Sequence, residues 1–205
     1  LRQQTEKRSR LGVLEQLEQS HEGFSEGTQA ALKKSDSVLG SLADKIRVAD
    51  DQYIIAVEAA LGQQLQLVLT EQPDSARLIL ADLRERRAGK ASIAALGLKV
   101  ADIAPPGDGP GEALGAFVDA DAAVKPLVQG LLATTRVVAD LDAATAGWRE
   151  SNGKFDFVTL EGEMLSRFGV YFGGTASSGS KNASSILARK KEIGELSTDV
   201  KNAQE

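Results

Sequence analysis

Apolar positions gather on one side of the chain at each of its ends. Near the N-terminus Leu11, Leu14 and Leu17 recur at helical spacing, and residues 1–20 hold no proline and one glycine. Near the C-terminus Ile186, Ile193 and Val200 recur every seven residues, with Leu196 three after Ile193. That is an a/d stripe of about two heptads. Helices so short are marginal alone in water, so the pattern predicts that 1–20 and 181–205 pack as an antiparallel pair of coiled-coil stubs. The chain would then be the tip of something longer, cut on both sides.

Between the stubs the pattern alternates between periods of 3.6 and 2. Residues 23–33 read as helix, 42–48 as extended chain, and 53–61 as a helix stopped by Gly62. Residues 65–69 read as a buried strand. Pro73 and Asp74 open a helix with Ala76, Ile79, Leu80 and Leu83 on its apolar face, and 91–96 read as a strand. After residues 104–111, which hold three of the five prolines and three glycines, the rhythm resumes. Residues 114–118 read as extended, 122–132 as helix, 136–141 as strand and 142–148 as a short helix. Asn152-Gly153 marks a tight turn. Phe155, Phe157 and Thr159 then alternate as in a half-buried strand, and 164–172 continue as strand up to Gly173-Gly174. The fold class is mixed α/β. The expected divisions are a stub (1–20), a first subdomain (21–103), an exposed linker (104–111), a second subdomain (112–180) and a second stub (181–205).

Composition narrows the function. With no cysteine and one histidine, His21, disulfide scaffolds, thiol nucleophiles and multi-histidine metal centres are excluded, and a Ser-His-Asp triad is disfavoured. No apolar run approaches the roughly 18 residues of a membrane span. Leu1-Arg2-Gln3-Gln4 lacks the apolar core of a signal peptide, so a cytoplasmic protein is expected. Aromatic residues make up only 4%, a poor lining for a catalytic pocket. The expectation is a non-enzyme without cofactors.

Charge is uneven. Residues 1–10 carry four basic groups and one acidic, residues 181–205 five and four, which leaves 15 basic and 24 acidic groups for 11–180. The body is therefore at −9 and both ends are locally basic. DNA would be drawn to the ends. Arg189 falls at a d position of the stripe, while Lys190 and Lys191 are expected to face outward. With Lys181, and with Arg8 and Arg10 of the other stub, they form the candidate phosphate-contacting patch, weak and indifferent to sequence. A solvated helix face is the competing reading.

Other motifs read as structural. Gly174 to Lys181 resembles a phosphate-binding loop, but Ser180 holds the lysine position and Lys181 the hydroxyl position, so a serine-rich connector fits better. His21-Glu22 lacks a second histidine. Asp50-Asp51 and Asp140/Asp142 sit where carboxylates cap helices.

Taken in order, several segments resemble a known family. They include Glu22-Gly23-Phe24 with Gly27, Gly40-Ser41-Leu42-Ala43-Asp44, and Tyr53 with Ala56, Ala59 and Leu61-Gly62. Val137-Val138, Val158-Thr159-Leu160-Glu161-Gly162-Glu163 and the closing run Gly169-Val170-Tyr171-Phe172-Gly173-Gly174 follow, leading into Ser185 to Ile193. Over residues 20–196 the chain resembles the hinge domain of SMC (structural maintenance of chromosomes) proteins, of a bacterial kind. It departs from the family pattern at Gly97 and in the serine-rich 175–180. The resemblance implies a body of two subdomains that homodimerises and joins two coiled-coil arms, acting mechanically in chromosome condensation and segregation on the nucleoid. The ATPase heads of such proteins lie at the far ends of the arms. Gly169, Val170, Tyr171, Phe172, Gly173 and Gly174 are the expected dimer contact, since glycines let a strand edge approach a partner closely. The alternative is an adaptor that binds another protein by strand addition to an exposed edge.

Overall fold

A computed structural model describes residues 2–98, 107–174 and 185–202. Helix α1 (Arg2–Gln19) leads to α2 (Glu26–Leu32), whose first turn is capped by the Ser25 hydroxyl, accepting from the Thr28 N–H at 3.3 Å. Strands β1 (Gly40–Ser41) and β2 (Ile46–Val48) follow. The single extended stretch expected over 42–48 is broken by a 3-10 turn, Leu42–Asp44. Asp44 accepts from the backbone N–H and the hydroxyl of Ser41 at 2.9 and 2.8 Å, and this local capping bends the chain.

Helix α3 (Ile54–Leu61) stops at Gly62 as predicted. A second 3-10 turn over Gly62–Gln66 then shortens the next strand to β3 (Val68–Thr70), so Leu65 reaches the core from a turn. Helix α4 (Pro73–Glu85) buries Ile79 and Leu83, but Leu80 is 44% exposed. One residue's rotation of about 100° carries it off the apolar stripe. Strand β4 (Ile93–Ala95) closes the first half.

The second half runs β5 (Glu112–Ala113), β6 (Val118–Ala120), α5 (Lys125–Leu132), β7 (Thr135–Val138), α6 (Leu141–Ser151), β8 (Asp156–Thr159), β9 (Met164–Leu165) and β10 (Tyr171–Phe172), before α7 (Ile186–Asn202). Residues 114–118 are largely a 3-10 turn and not a strand, anchored by the fully buried Leu114 and by Phe117, which stacks on Tyr53 with centroids 3.8 Å apart. Strand β8 is buried along both faces and not one, because α6 covers one face and α3 packs against the other. The strand expected over 164–172 is a hairpin instead. The Ser166 carbonyl accepts from the Gly169 N–H at 2.8 Å, and Gly169 adopts φ +76°, which turns β10 back onto β9.

Each half contains a parallel β-α-β unit: β3-α4-β4 in the first and β7-α6-β8 in the second. The first sheet has the order β1-β3-β4 and the second β10-β9-β8-β7-β5. Antiparallel pairing of β2 with β6 ties the halves together. One core cluster crosses them, from Phe24, Leu42 and Leu69 to Leu114, Val137, Val158 and Leu187. The stretch expected as a loosely held linker is packed at its C-terminal end. A Cβ on Gly109 would run into the Phe155 ring, and Arg136 donates to the Gly107 carbonyl at 2.9 Å. Residues 104–106 lie outside the described residues. No helix among the described residues is long and apolar enough to cross a membrane.

Candidate functional site

Two places concentrate the candidate residues. The first is the outer edge of the five-stranded sheet. Strand β10 is its last strand and, among the described residues, pairs only with β9. Around it Phe168 is 79% exposed, Phe172 67%, Val170 62% and Tyr171 54%. Four large apolar side chains within five residues at a free strand edge are unusual for an isolated surface, which manages such edges with charge or cover. Gly173 has only ordinary contacts with Glu163, and Gly174, at φ +102°, has open space where a Cβ would sit. The local framework is firm: Trp148 Nε1 donates to the Arg167 carbonyl at 3.1 Å, and the Thr145 and Tyr171 hydroxyls lie 2.6 Å apart. Phe168, the most exposed of the four, precedes the glycine-bracketed run, so the sequence pattern does not mark it.

The second place is where the stubs meet the body. Ion pairs Lys7–Asp199 and Arg10–Glu192, with Arg189–Glu18, run in opposite directions along α1 and α7, so the stubs pack antiparallel as predicted. Arg189 lies inward, as its d position predicts, and the two lysines expected to face outward are not free. Arg189, 5% exposed, donates from Nε to Glu18 at 3.1 Å and from a terminal nitrogen to the Glu22 carbonyl at 2.9 Å. Lys190 is half-buried and pairs with both Glu18 and Asp44; Lys191 pairs with Asp51 and, at 3.2 Å, with Glu195. Glu58 of α3 accepts from the Leu187 N–H at 2.7 Å, completing the seat of α7. Carboxylates from four other segments therefore hold one turn of helix.

Burial opposes charge on Lys190, but its hydrogen bonds to Asp44 and Glu18 outweigh that and raise its pKa above the ordinary lysine value. Burial likewise opposes ionisation of Asp44, while the bonds from Lys190 and Ser41 hold its carboxyl below the usual carboxylate range. Arg8 is exposed on α1, and Lys181 lies outside the described residues, as does most of the loop resembling a phosphate-binding motif. The capping carboxylates are where the sequence puts them: Asp50 accepts from the Gln52 N–H at 3.1 Å and Asp140 from the Ala143 N–H at 2.8 Å. His21, at φ +51°, closes the end of α1 beside Phe24.

The model of the SMC proteins flexible hinge domain matches residues 35–147, more than half of the chain. This chain belongs to the SMC hinge family. Among its relatives, the chromosome partition protein Smc of Myxococcus xanthus is 34% identical over 213 residues, covering 98% of this chain. That of Halothermothrix orenii is 32% identical over 209 residues, covering 97%. In both cases the matched region is 17% of the relative, so the hinge chain spans about a sixth of their length. The crystal structure of an asymmetric dimer of the Geobacillus stearothermophilus SMC hinge domain superposes with a TM-score of 0.83 at 25% identity, covering 98% of this chain and 83% of that one. The Pyrococcus furiosus SMC hinge domain shares the fold, with a TM-score of 0.61 at 24% identity, covering 84% and 95%.

Proposed function

We propose that this hinge homodimerises through β10 and thereby joins two coiled-coil arms of a chromosome-partitioning SMC protein, with no chemistry of its own. The observation that carries this reading is the exposed apolar hairpin, Phe168 to Phe172, at a free strand edge. The proposed receiving surface is β4, the strand at one edge of the first sheet. Its residues are half-buried, and Leu98 just beyond it is 64% exposed, with Leu78 of the neighbouring α4 at 71%. Strand addition of β10 to a partner's β4 satisfies backbone groups on both edges and covers apolar side chains from both surfaces. The dimer of the Geobacillus hinge supports self-association. The stubs, anchored by the junction, then set where the arms leave.

DNA contact at the junction is the weaker part of the reading. Arg10, Arg189, Lys190 and Lys191 already pair with carboxylates of the chain, so a phosphate would have to displace them. Arg8 and Lys181 are the candidates left for such contact.

Sedimentation equilibrium tests the dimer. The wild-type chain should run at twice its 21.6 kDa. The Val170→Lys/Phe172→Lys double variant should dissociate at least 100-fold more readily, on the order of 3 kcal/mol for two apolar side chains no longer buried between the copies. Its melting should be that of a folded monomer, because both side chains are exposed there. A monomeric wild type, or a dimer that survives both lysines, would overturn the interface.

A further inference from the structure

We propose that a groove on the second half binds a peptide segment of another protein in which an apolar side chain is flanked by lysine or arginine. The groove lies where β7 and β8 end, between the start of β5, the first turn of α6 and the chain just before α3. Tyr53, Glu112, Val137, Val138, Ala143 and Leu160 line it, around a volume of about 430 Å³. That is within the roughly 300–1,000 Å³ of ligand pockets. Only Tyr53 and Glu112 bring polar side chains to the lining. Leu160 is 37% exposed, and Ile55 of α3, 53% exposed, extends the apolar surface next to Gly162. Gly111, at φ +74°, lies so close to the Val137 carbonyl that a Cβ would collide with it, which fixes β5 at the margin of the groove.

The rim is acidic and uncompensated. Glu112, Asp140, Asp142 and Glu161 are exposed, and the last three adjoin the lining residues Ala139, Ala143 and Leu160. None of the four pairs with a lysine or arginine among the described residues. Glu112 accepts from the Tyr53 hydroxyl at 3.4 Å, and one oxygen of Asp140 caps the Ala143 N–H. Burial and, after it, the charges of Glu112 and Asp50 push the pKa of the Tyr53 hydroxyl up, which marks the same negative potential inside the groove. The junction is the opposite case, since its carboxylates already hold Arg189, Lys190 and Lys191. Carboxylates without cationic partners around an apolar groove attract a cationic ligand and repel an anionic one such as nucleic acid. An apolar side chain seated in the groove would set flanking lysine or arginine side chains among them. Strand β5 is the opposite edge of the five-stranded sheet from β10, so this surface goes beyond the dimer reading and does not depend on it.

The test is fluorescence anisotropy of two labelled peptides, Arg-Leu-Lys-Leu-Arg and Arg-Ser-Lys-Ser-Arg, titrated with the 205-residue chain, with sedimentation on the same samples. The leucine peptide should bind saturably, and the serine peptide of equal charge at least tenfold more weakly. Glu112→Gln/Asp142→Asn/Glu161→Gln should weaken binding of the leucine peptide at least tenfold while the dimer persists. Ala143→Leu fills the groove and leaves every carboxylate in place. It should weaken the leucine peptide at least fivefold, and it keeps the test valid if the triple variant folds poorly. A wild type that does not bind the leucine peptide, equal binding of both peptides, or wild-type affinity in either variant would overturn the proposal. Dissociation of the dimer by these substitutions would overturn it too, because the groove would then be a contact between copies.

Discussion

The hairpin at the sheet edge and the junction of the stubs solve opposite problems. At the hairpin, apolar side chains that would ordinarily be buried stand in solvent around β10, and the backbone edge beside them has no partner among the described residues. At the junction, charged side chains that would ordinarily be solvated are drawn inward, and each finds a carboxylate from another part of the chain. One surface leaves apolar side chains uncovered, and the other pairs its charges within the chain. The contrast bears on the proposed function: on that reading association belongs to the hairpin, and the direction of the arms belongs to the junction.

The largest effect that separates the two should come from Arg189→Ala. Removing Arg189 leaves the Glu22 carbonyl without its donor and Glu18 with Lys190 alone, at about 1–3 kcal/mol. Urea unfolding should show this loss of stability, whereas the self-association of the folded fraction should hold. Dissociation of the dimer by Arg189→Ala would erase the division of labour.

A smaller effect should appear with pH. Asp44 has a lowered pKa in the folded chain, so its contribution is present above the ordinary carboxylate value near 4 and is lost as pH falls through the lowered value. Lys190 has a raised pKa, so its contribution is full below about 10.4 and is lost as pH rises through the raised value. Stability between those limits should be flat as far as this pair is concerned. Asp44→Asn should soften the acid limb in a pH series of melting temperatures; an acid limb identical to wild type would show that the pair does not report on the seat of α7. Lys191→Gln should do least. Its pairs with Asp51 and Glu195 are more exposed, and such pairs contribute roughly 0.2–1 kcal/mol.

Much of this architecture is written in local patterns. The leucines of α1 and the seven-residue recurrence in α7 announce the stubs, and the repeated strand-helix-strand rhythm announces the two β-α-β units. Periodicity misleads where short-range hydrogen bonds override it: Asp44 bends the chain after β1, and Ser166 with Gly169 folds one expected strand into a hairpin. The linker looks loose in sequence because proline and glycine also occur where rings pack closely, as Phe155 does over Gly109. The pairing of Lys190 and Lys191 is not legible at all. Their partners Glu18, Asp44 and Asp51 lie 172, 146 and 140 residues away, and a basic run looks the same whether solvated or compensated.

The central claim is that β10 of one copy meets β4 of another, and the absence of cysteine from the chain allows a direct measurement. Two single-cysteine chains, Tyr171→Cys and Ala95→Cys, would be mixed and treated with a short bismaleimide. The account predicts a covalent dimer containing one chain of each kind, with neither variant cross-linking efficiently to itself. Failure of the mixed pair to link in a sample that sediments as a dimer, or efficient linking of Tyr171→Cys to itself, would contradict it.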